Sequence, residues 1–311
     1  MTNDRIAIVW NPAKTSREDL EAALPDEAAD AAVSWHRTSP DDPGRGAAGE
    51  ALATGAGVIV AAGGDGTVRA VAERLAEADA PAELVIVPLG TGNLLARNLE
   101  VPLGDPAGAL ARAFDGESRP LDLGWVEADV DGARVRRASV VMAGFGIDAH
   151  MIVETDDDLK GKVGWLAYVE SLGRALSASG VVAADLALDG AEPERTEAHT
   201  LLIGGCGTLQ GGIVLLPDAD PSDGELDLLL LSAEGLGQWL DTLRSFVWDN
   251  GVRRRLGGRS RARSAETATH ARARSVSVSL SEPRVLEIDG DDLGETTAFS
   301  VTVQPGAVRV R

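Results

Sequence analysis

Two apolar runs, Val58–Ala62 and Leu84–Pro88, are each followed at once by a glycine-rich turn, and the stretch Val58–Arg97 that contains them organises the chain. After the first turn, Gly63-Gly64-Asp65-Gly66-Thr67, apolar residues fall at Val68, Val71, Ala72 and Leu75, the i, i+3, i+4, i+7 spacing of a helix. The second turn, Gly90-Thr91-Gly92-Asn93, leads into Leu94-Leu95-Ala96-Arg97. Upstream, Arg5–Trp10 reads as a strand ending at Asn11-Pro12, and Ser16-x-x-Asp19 as a capping box before a helix through Leu20 and Leu24. Ala32–His36 reads as a second strand ahead of a Pro/Gly-rich loop, Ser39–Gly46. Strands near positions 5, 32, 58 and 84 alternating with helices predict a parallel α/β sheet. A helix over Asp105–Phe114 and a strand over Arg119–Gly124, crossing out of this domain, complete it.

Beyond Gly124 the pattern changes to short strands: Ala138–Ala143, Val181–Leu188, Thr200–Ile203, Leu226–Leu231, Ser275–Leu280, Val285–Ile288 and Ser300–Val303. That spacing predicts a mainly-β sandwich. Two amphipathic helices interrupt it. Lys162–Ser177 carries Leu166, Val169, Leu172 and Leu176 on one face, and Gly235–Asp249 carries Leu236, Trp239, Leu240, Leu243, Phe246 and Val247.

At 311 residues the chain is long enough for two domains, and its 44% apolar content is ordinary for a globular protein. No run approaches the roughly 20 apolar residues of a membrane span, and the N-terminal residues run straight into a strand pattern, so we expect neither an anchor nor a signal peptide. Cys206 is the only cysteine, which excludes an intrachain disulfide and a thiolate metal cluster. The expectation is a soluble cytoplasmic protein. A net charge of −20 argues against nucleic-acid binding. The charge is uneven, because Val252–Arg274 holds eight arginines and one glutamate, +7 against −27 for the remainder. Following an amphipathic helix, the arginines of Arg253–Arg274 either dock on anionic lipid, at about 1 kcal/mol per basic residue near the surface, or form a solvated loop.

Strand, glycine turn and helix in that order put unpaired backbone N–H groups and a positive dipole end at each turn, which suits an anion. A P-loop is excluded because no lysine follows these glycines, and a dinucleotide fingerprint because Leu95 stands where its third glycine belongs. In a parallel sheet, ligands sit beyond the carboxyl ends of the strands, where Asn11, Asp65 and Thr91 fall. A carboxylate inside a phosphate-cradling turn holds a cation or its water; otherwise Asp65 is a helix N-cap. Asn93 is either a phosphate or ribose contact or a turn residue. Asp218-x-Asp220-x-x-Asp223-Gly224 misses the EF-hand spacing by one residue and lacks its terminal bidentate acid.

Gly-Gly-Asp-Gly-Thr followed by Pro-Leu-Gly-Thr-Gly-Asn resembles the diacylglycerol kinase and sphingosine kinase superfamily, whose nucleotide-binding domain is shared in outline with NAD kinases. The second phrase favours the lipid kinases. The resemblance implies an α/β ATP-binding domain over residues 1–124, joined by returning strands from about 297 to 311 (Ala298–Val303 and Ala307–Val310), and a β-sandwich lipid-substrate domain over 125–296. It implies ATP and Mg²⁺ as cofactors. Nucleotide contacts would come from Asn11, Gly63, Gly64, Asp65, Gly66, Thr67, Gly90, Thr91, Gly92, Asn93 and Asp291. Lys14 follows the Asn-Pro phrase, with Thr15 where a glycine is usual. Asp122 would lie close to Asp65, the two acids suiting a hydrated Mg²⁺.

Gly144, Gly146 and Asp148 match a Gly-x-Gly-x-Asp segment, and Lys160 and Lys162 stand where the family has basic residues. Gly205 replaces a common Asn. Asp223 is the acid matching a structural Mg²⁺ site, with Asp220 and Glu225 beside it. In Asp289-Gly290-Asp291 the family has Asp-Gly-Glu, and Asp289 is the candidate base that takes the hydroxyl proton as the oxygen attacks in line. The implied activity is phosphorylation of diacylglycerol to phosphatidic acid by a protein peripheral to the membrane. A sphingoid base is the second choice of acceptor. A nucleotide-binding sensor that has lost catalysis is the reading of another class. The oligomeric state is not fixed by the sequence, and a homodimer is compatible with it.

Overall fold

The computed structural model describes residues 5–146, 180–210, 214–232 and 268–311. The helices expected over Lys162–Ser177 and Gly235–Asp249, with Asp148 and Lys160, lie outside the described residues. The chain divides into two compact units: Met1–Leu123 with Pro221–Gly224 and Gln304–Arg311, and Gly124–Asp220 with Glu225–Val303.

The first unit is α/β. Its strands are β1 (Arg5–Trp10), β2 (Ala32–Arg37), β3 (Val58–Gly63) and β4 (Glu83–Pro88), and its helices α1 (Arg17–Ala22), α2 (Arg45–Ala53), α3 (Asp65–Glu77), α4 (Leu94–Asn98) and α5 (Pro106–Asp115). The strands run parallel in the order β2-β1-β3-β4. Every residue of β3 is buried, as an apolar run with no alternation requires when helices cover both faces of a sheet. The chain winds one way from β1 to β2 and the other way from β1 through β3, so the topological switch point falls between the carboxyl ends of β1 and β3.

Local chemistry sets the helix starts. Ser16 caps α1, its hydroxyl accepting the Asp19 N–H at 3.1 Å and donating to the Asp19 carboxylate at 2.6 Å. The expected loop at Ser39–Gly46 ends inside α2, whose small alanines carry too little apolar contrast to announce a helix. Asp42 starts it, with Oδ1 accepting the amides of Gly44 and Gly46 at 3.1 and 3.0 Å and Oδ2 that of Ala47 at 3.1 Å.

The second unit is a β-sandwich. Its strands are β5 (Arg119–Val130, entering from the first unit), β6 (Ala133–Ser139), β7 (Met142–Phe145), β8 (Val182–Leu188), β9 (Glu194–Ala198), β10 (Thr200–Gly204), β11 (Leu226–Leu231), β12 (Ala268–Ala273), β13 (Ser275–Ile288) and β14 (Asp291–Val310, whose end re-enters the first unit). The runs Ser275–Leu280 and Val285–Ile288 are one strand, bent at an irregularity between Ser279 and Arg284. Its first half pairs with β8 and its last residues with β7, so β13 serves both layers. Val276, Val278 and Leu280 alternate inward to a core shared with Phe145, Leu201, Ile203, Leu286 and Phe299. Charged β9, paired through β8, gives no apolar signal in sequence. No described helix is long and apolar enough to cross a membrane.

One strand was expected over Ala138–Ala143, and the structure corrects it. The ladder stops at Ser139 and restarts at Met142. The amides of Val140, Val141 and Met142 turn instead to the carboxylate of Asp289.

Candidate active site

The two glycine turns lie at the carboxyl ends of β3 and β4 and touch each other. A Cβ on Gly90 would stand 2.7 Å from Gly64 Cα, and one on Gly92 would stand 2.9 Å from Asp65 Oδ2. Neither glycine has positive φ, so close packing of the turns is what excludes a side chain there. Asp65 ties them, its Oδ2 accepting the Asn93 N–H at 2.8 Å and Oδ1 the Leu94 N–H at 2.6 Å. It therefore engages the first amides of α4 rather than capping its own helix. The cap of α3 is Gly64, which offers the helix start no side-chain acceptor.

Asn93 closes the second turn on itself. Its Oδ1 accepts the Gly90 N–H at 2.8 Å and its Nδ2 donates to Gly90 O at 2.7 Å, with the residue in the left-handed region at φ +49°. These bonds hold its side chain within the turn. Arg97 Nε donates to Gly92 O at 2.7 Å and braces the same loop. Asn11 sits at the switch point, its N–H donating to Ala62 O at 2.9 Å and its Oδ1 accepting the Ala13 N–H at 2.9 Å in an Asx turn. Lys14 and Thr91 are exposed, whereas Thr67 is buried.

Asp122 is held by backbone amides. Its oxygens accept the Gly224 and Gly306 amides, both at 2.6 Å, and its own N–H donates to Pro221 O at 2.8 Å. It fastens the Pro221–Gly224 turn and the start of the returning segment. Asp220 and Asp223 are exposed, and Glu225 pairs with Arg272 at 3.1 Å. Among the described residues no group of three or more His, Cys, Asp or Glu side chains is placed to hold a metal ion. Arg272 also meets Asp227 at 3.3 Å, which takes one arginine of the basic run into an ion-paired strand.

Asp289 is gripped by backbone donors. It forms a two-residue turn with Gly290 between β13 and β14, both at positive φ (+52° and +90°). It is 6% exposed, and four donors meet its carboxylate: the Ser139 hydroxyl at 2.8 Å and the amides of Val141 and Met142 at 2.9 and 3.0 Å on Oδ1, and the Val140 amide at 2.9 Å on Oδ2. Three of these donors crowd Oδ1 and one meets Oδ2, so the carboxylate is held firmly in place by backbone amides and the Ser139 hydroxyl. Asp291, two residues on, is exposed. Ser139 and the three amides were missed because Val140 and Val141 read as strand interior. Only the polar Ser139 inside an apolar run marks the break.

For a nucleotide the residues fit: joined glycine turns, an uncapped helix start and the switch point lie together in the first unit. For Mg²⁺ the fit is narrower. The two amide bonds on Asp65 do not exhaust a carboxylate's acceptor capacity, but they fix its orientation.

Residues 5–126 match the diacylglycerol kinase catalytic domain model, and residues 139–311 match the YegS C-terminal NAD kinase beta sandwich-like domain. A Pseudomonas aeruginosa protein named probable lipid kinase YegS-like is 36% identical over 234 residues, 74% of this chain and 73% of that one. A Pseudomonas fluorescens protein of the same name is 36% identical over 264 residues, 84% of this chain and 79% of that one. The crystal structure of a diacylglycerol kinase from Bacillus anthracis covers 99% of this chain and 96% of that one, with a TM-score of 0.69 at 19% identity, a likeness of fold. An α/β unit with tied glycine turns, a β-sandwich behind it in sequence and both matched domain models lead to one conclusion: the chain belongs to the YegS-like lipid kinase family, built on the diacylglycerol kinase catalytic domain.

Proposed function

We propose that the chain transfers the γ-phosphoryl group of ATP to a lipid hydroxyl with Mg²⁺ as cofactor, diacylglycerol being the first acceptor and a sphingoid base the second. The observation that carries this reading is the bond from Asp65 to the amides of Asn93 and Leu94. It holds two glycine turns together at the ends of adjacent parallel strands, beside a helix start with no side-chain cap. Phosphoryl transfer asks the protein mainly for positioning and charge stabilisation, and such a cradle supplies both. Asp65 would hold Mg²⁺ or its water, and the ion would supply charge neutralisation at the phosphate. We assign the base to Asp291, whose exposed carboxylate would accept the hydroxyl proton as the oxygen attacks phosphorus in line, rather than to Asp289, whose carboxylate is held by four protein donors. The run of arginines over Arg253–Arg274 supports contact with an anionic bilayer, where the lipid substrate resides.

The test is ATP- and Mg²⁺-dependent phosphate transfer to diacylglycerol in mixed micelles, wild type beside Asp291→Asn. Transfer by the wild type alone is expected. Transfer to sphingosine but not diacylglycerol would reassign the acceptor. ATP binding with transfer to no lipid would replace the kinase reading with the nucleotide sensor.

A further inference from the structure

The break between β6 and β7 has a complete hydrogen-bond account, and two residues provide it. The amides of Val140, Val141 and Met142 go to the Asp289 carboxylate, and the Met142 carbonyl accepts the Asp289 N–H at 2.9 Å. The Val141 carbonyl accepts the Cys206 N–H at 3.3 Å, and the Val140 carbonyl the Cys206 thiol at 3.6 Å. Behind this segment there is no slack, since a Cβ on Gly204 would stand 2.2 Å from Val141 O. A two-residue hairpin turn does not itself need a buried acid, because an exposed Asn-Gly serves as well. Burying a charged carboxylate is unfavourable before its donors are counted. Here that group is built into the turn that carries Asp291.

We propose that Asp289 is a positioning residue: with Ser139 its carboxylate locks the Val140–Met142 break to the Asp289-Gly290 turn, and the lock fixes the carboxylate of Asp291 for proton transfer. The proposal rests on the kinase reading above. It distinguishes two acids one residue apart in the same phrase, one holding backbone and one meeting substrate. Asn cannot replace Asp289, because its NH₂ would face an amide donor where an acceptor is needed.

Three variants test it in the full-length protein: Asp289→Asn, Ser139→Ala and Asp291→Asn. Two readouts are used, amide hydrogen exchange of the peptide covering 140–142 and the pH dependence of kcat and KM for transfer to diacylglycerol. In Asp289→Asn, exchange at 140–142 should rise at least about 10-fold and kcat should fall about 100-fold, the scale of a 1 Å misplacement, with KM for ATP unchanged. In Ser139→Ala, which removes one donor of four and is the variant safer for folding, kcat should fall several-fold while the acid limb of the pH profile stays in place. Asp291→Asn should lose transfer with exchange at 140–142 unaltered.

If Asp289 were instead the base, losing the Ser139 bond would disfavour its ionised form and move the acid limb of Ser139→Ala to higher pH. That shift overturns the proposal, as does transfer surviving in Asp291→Asn. Unchanged exchange in Asp289→Asn overturns the lock whatever the activity. A wild type that phosphorylates no lipid overturns the kinase reading and the catalytic purpose of the lock together, and the exchange result still decides separately whether the lock exists.

Discussion

Asp65 and Asn93, 28 residues apart in sequence, are joined by a 2.8 Å hydrogen bond from the Asn93 amide to the Asp65 carboxylate. Asn93 in turn grips Gly90 through both polar atoms of its side chain. The two glycine turns thus behave as one object. The acid that chemistry alone would assign to a cation is also the link between them.

Replacing Asp65 by Asn should therefore loosen the site even without nucleotide. One amide donor would face the new NH₂, and leaving a buried donor unmet costs about 1–3 kcal/mol. A lower melting temperature of the apo protein and at least about 10-fold weaker ATP binding by calorimetry are expected. Unchanged melting with weaker binding would show that the tie is dispensable and the charge is what matters.

Gly90→Ala tests the contact of the turns. The added methyl would meet Gly64 Cα at 2.7 Å and Asn93 Oδ1 at 2.9 Å, and the first of these is backbone, which no rotamer relieves. Overpacking of this kind destabilises by about 1–3 kcal/mol. Urea unfolding should report that loss, together with a fall in ATP affinity.

Asp42 offers a pH signature. Burial raises its pKa, but the amides of Gly46, Gly44, Ala47 and Arg45 lower it more, and the net position is below the ordinary value of 3.8. A depressed carboxylate contributes stability that is complete above its unfolded pKa and lost as pH falls through the folded one. Asp42→Asn should be less stable than wild type by about 1 kcal/mol at neutral pH, the usual worth of such a cap. The gap should narrow below about pH 4, where the wild-type acid protonates. A gap independent of pH down to 2 would sink the assignment.

Cys206 should be inert while the protein is folded. It is buried, and burial first, then the charges of Asp289 and Asp220, push its thiol well above the usual range. Thiol reagents need the thiolate and access to it. Ellman's reagent should titrate no thiol in native protein and one in urea. Rapid native labelling would show that the Val140–Cys206 region opens readily.

The glycine turns and the parallel strands were legible because their physics is local: an apolar run, a flexible turn and a 3.6-residue period lie in adjacent residues. What carboxylates do at the sites was not. Asp65, Asp122 and Asp289 find their amides at Leu94, Gly306 and Val140, distances along the chain that no spacing rule reaches. The Ser139–Met142 break was hidden for the same reason, since Val140 and Val141 have the composition of a strand and only a distant acid pulls their amides out of the ladder. Helix α2 was missed because its buried face is Ala47, Ala48 and Ala51, too small to stand out from a loop.

Asp122 also bears on how the protein is made. Its two glycine amides come from 102 and 184 residues downstream, and Arg311, also of the first unit, places its guanidinium on Glu83 and on Ala113 O. A ribosome that has released only the first 123 residues has therefore delivered a sheet without its final edge and an acid without its donors. The N-terminal unit can begin to fold during synthesis but must finish after residues 304–311 have emerged, reversing the usual order in which N-terminal domains mature first. A truncated N-terminal fragment is accordingly an unsuitable reagent for nucleotide-binding studies of this chain.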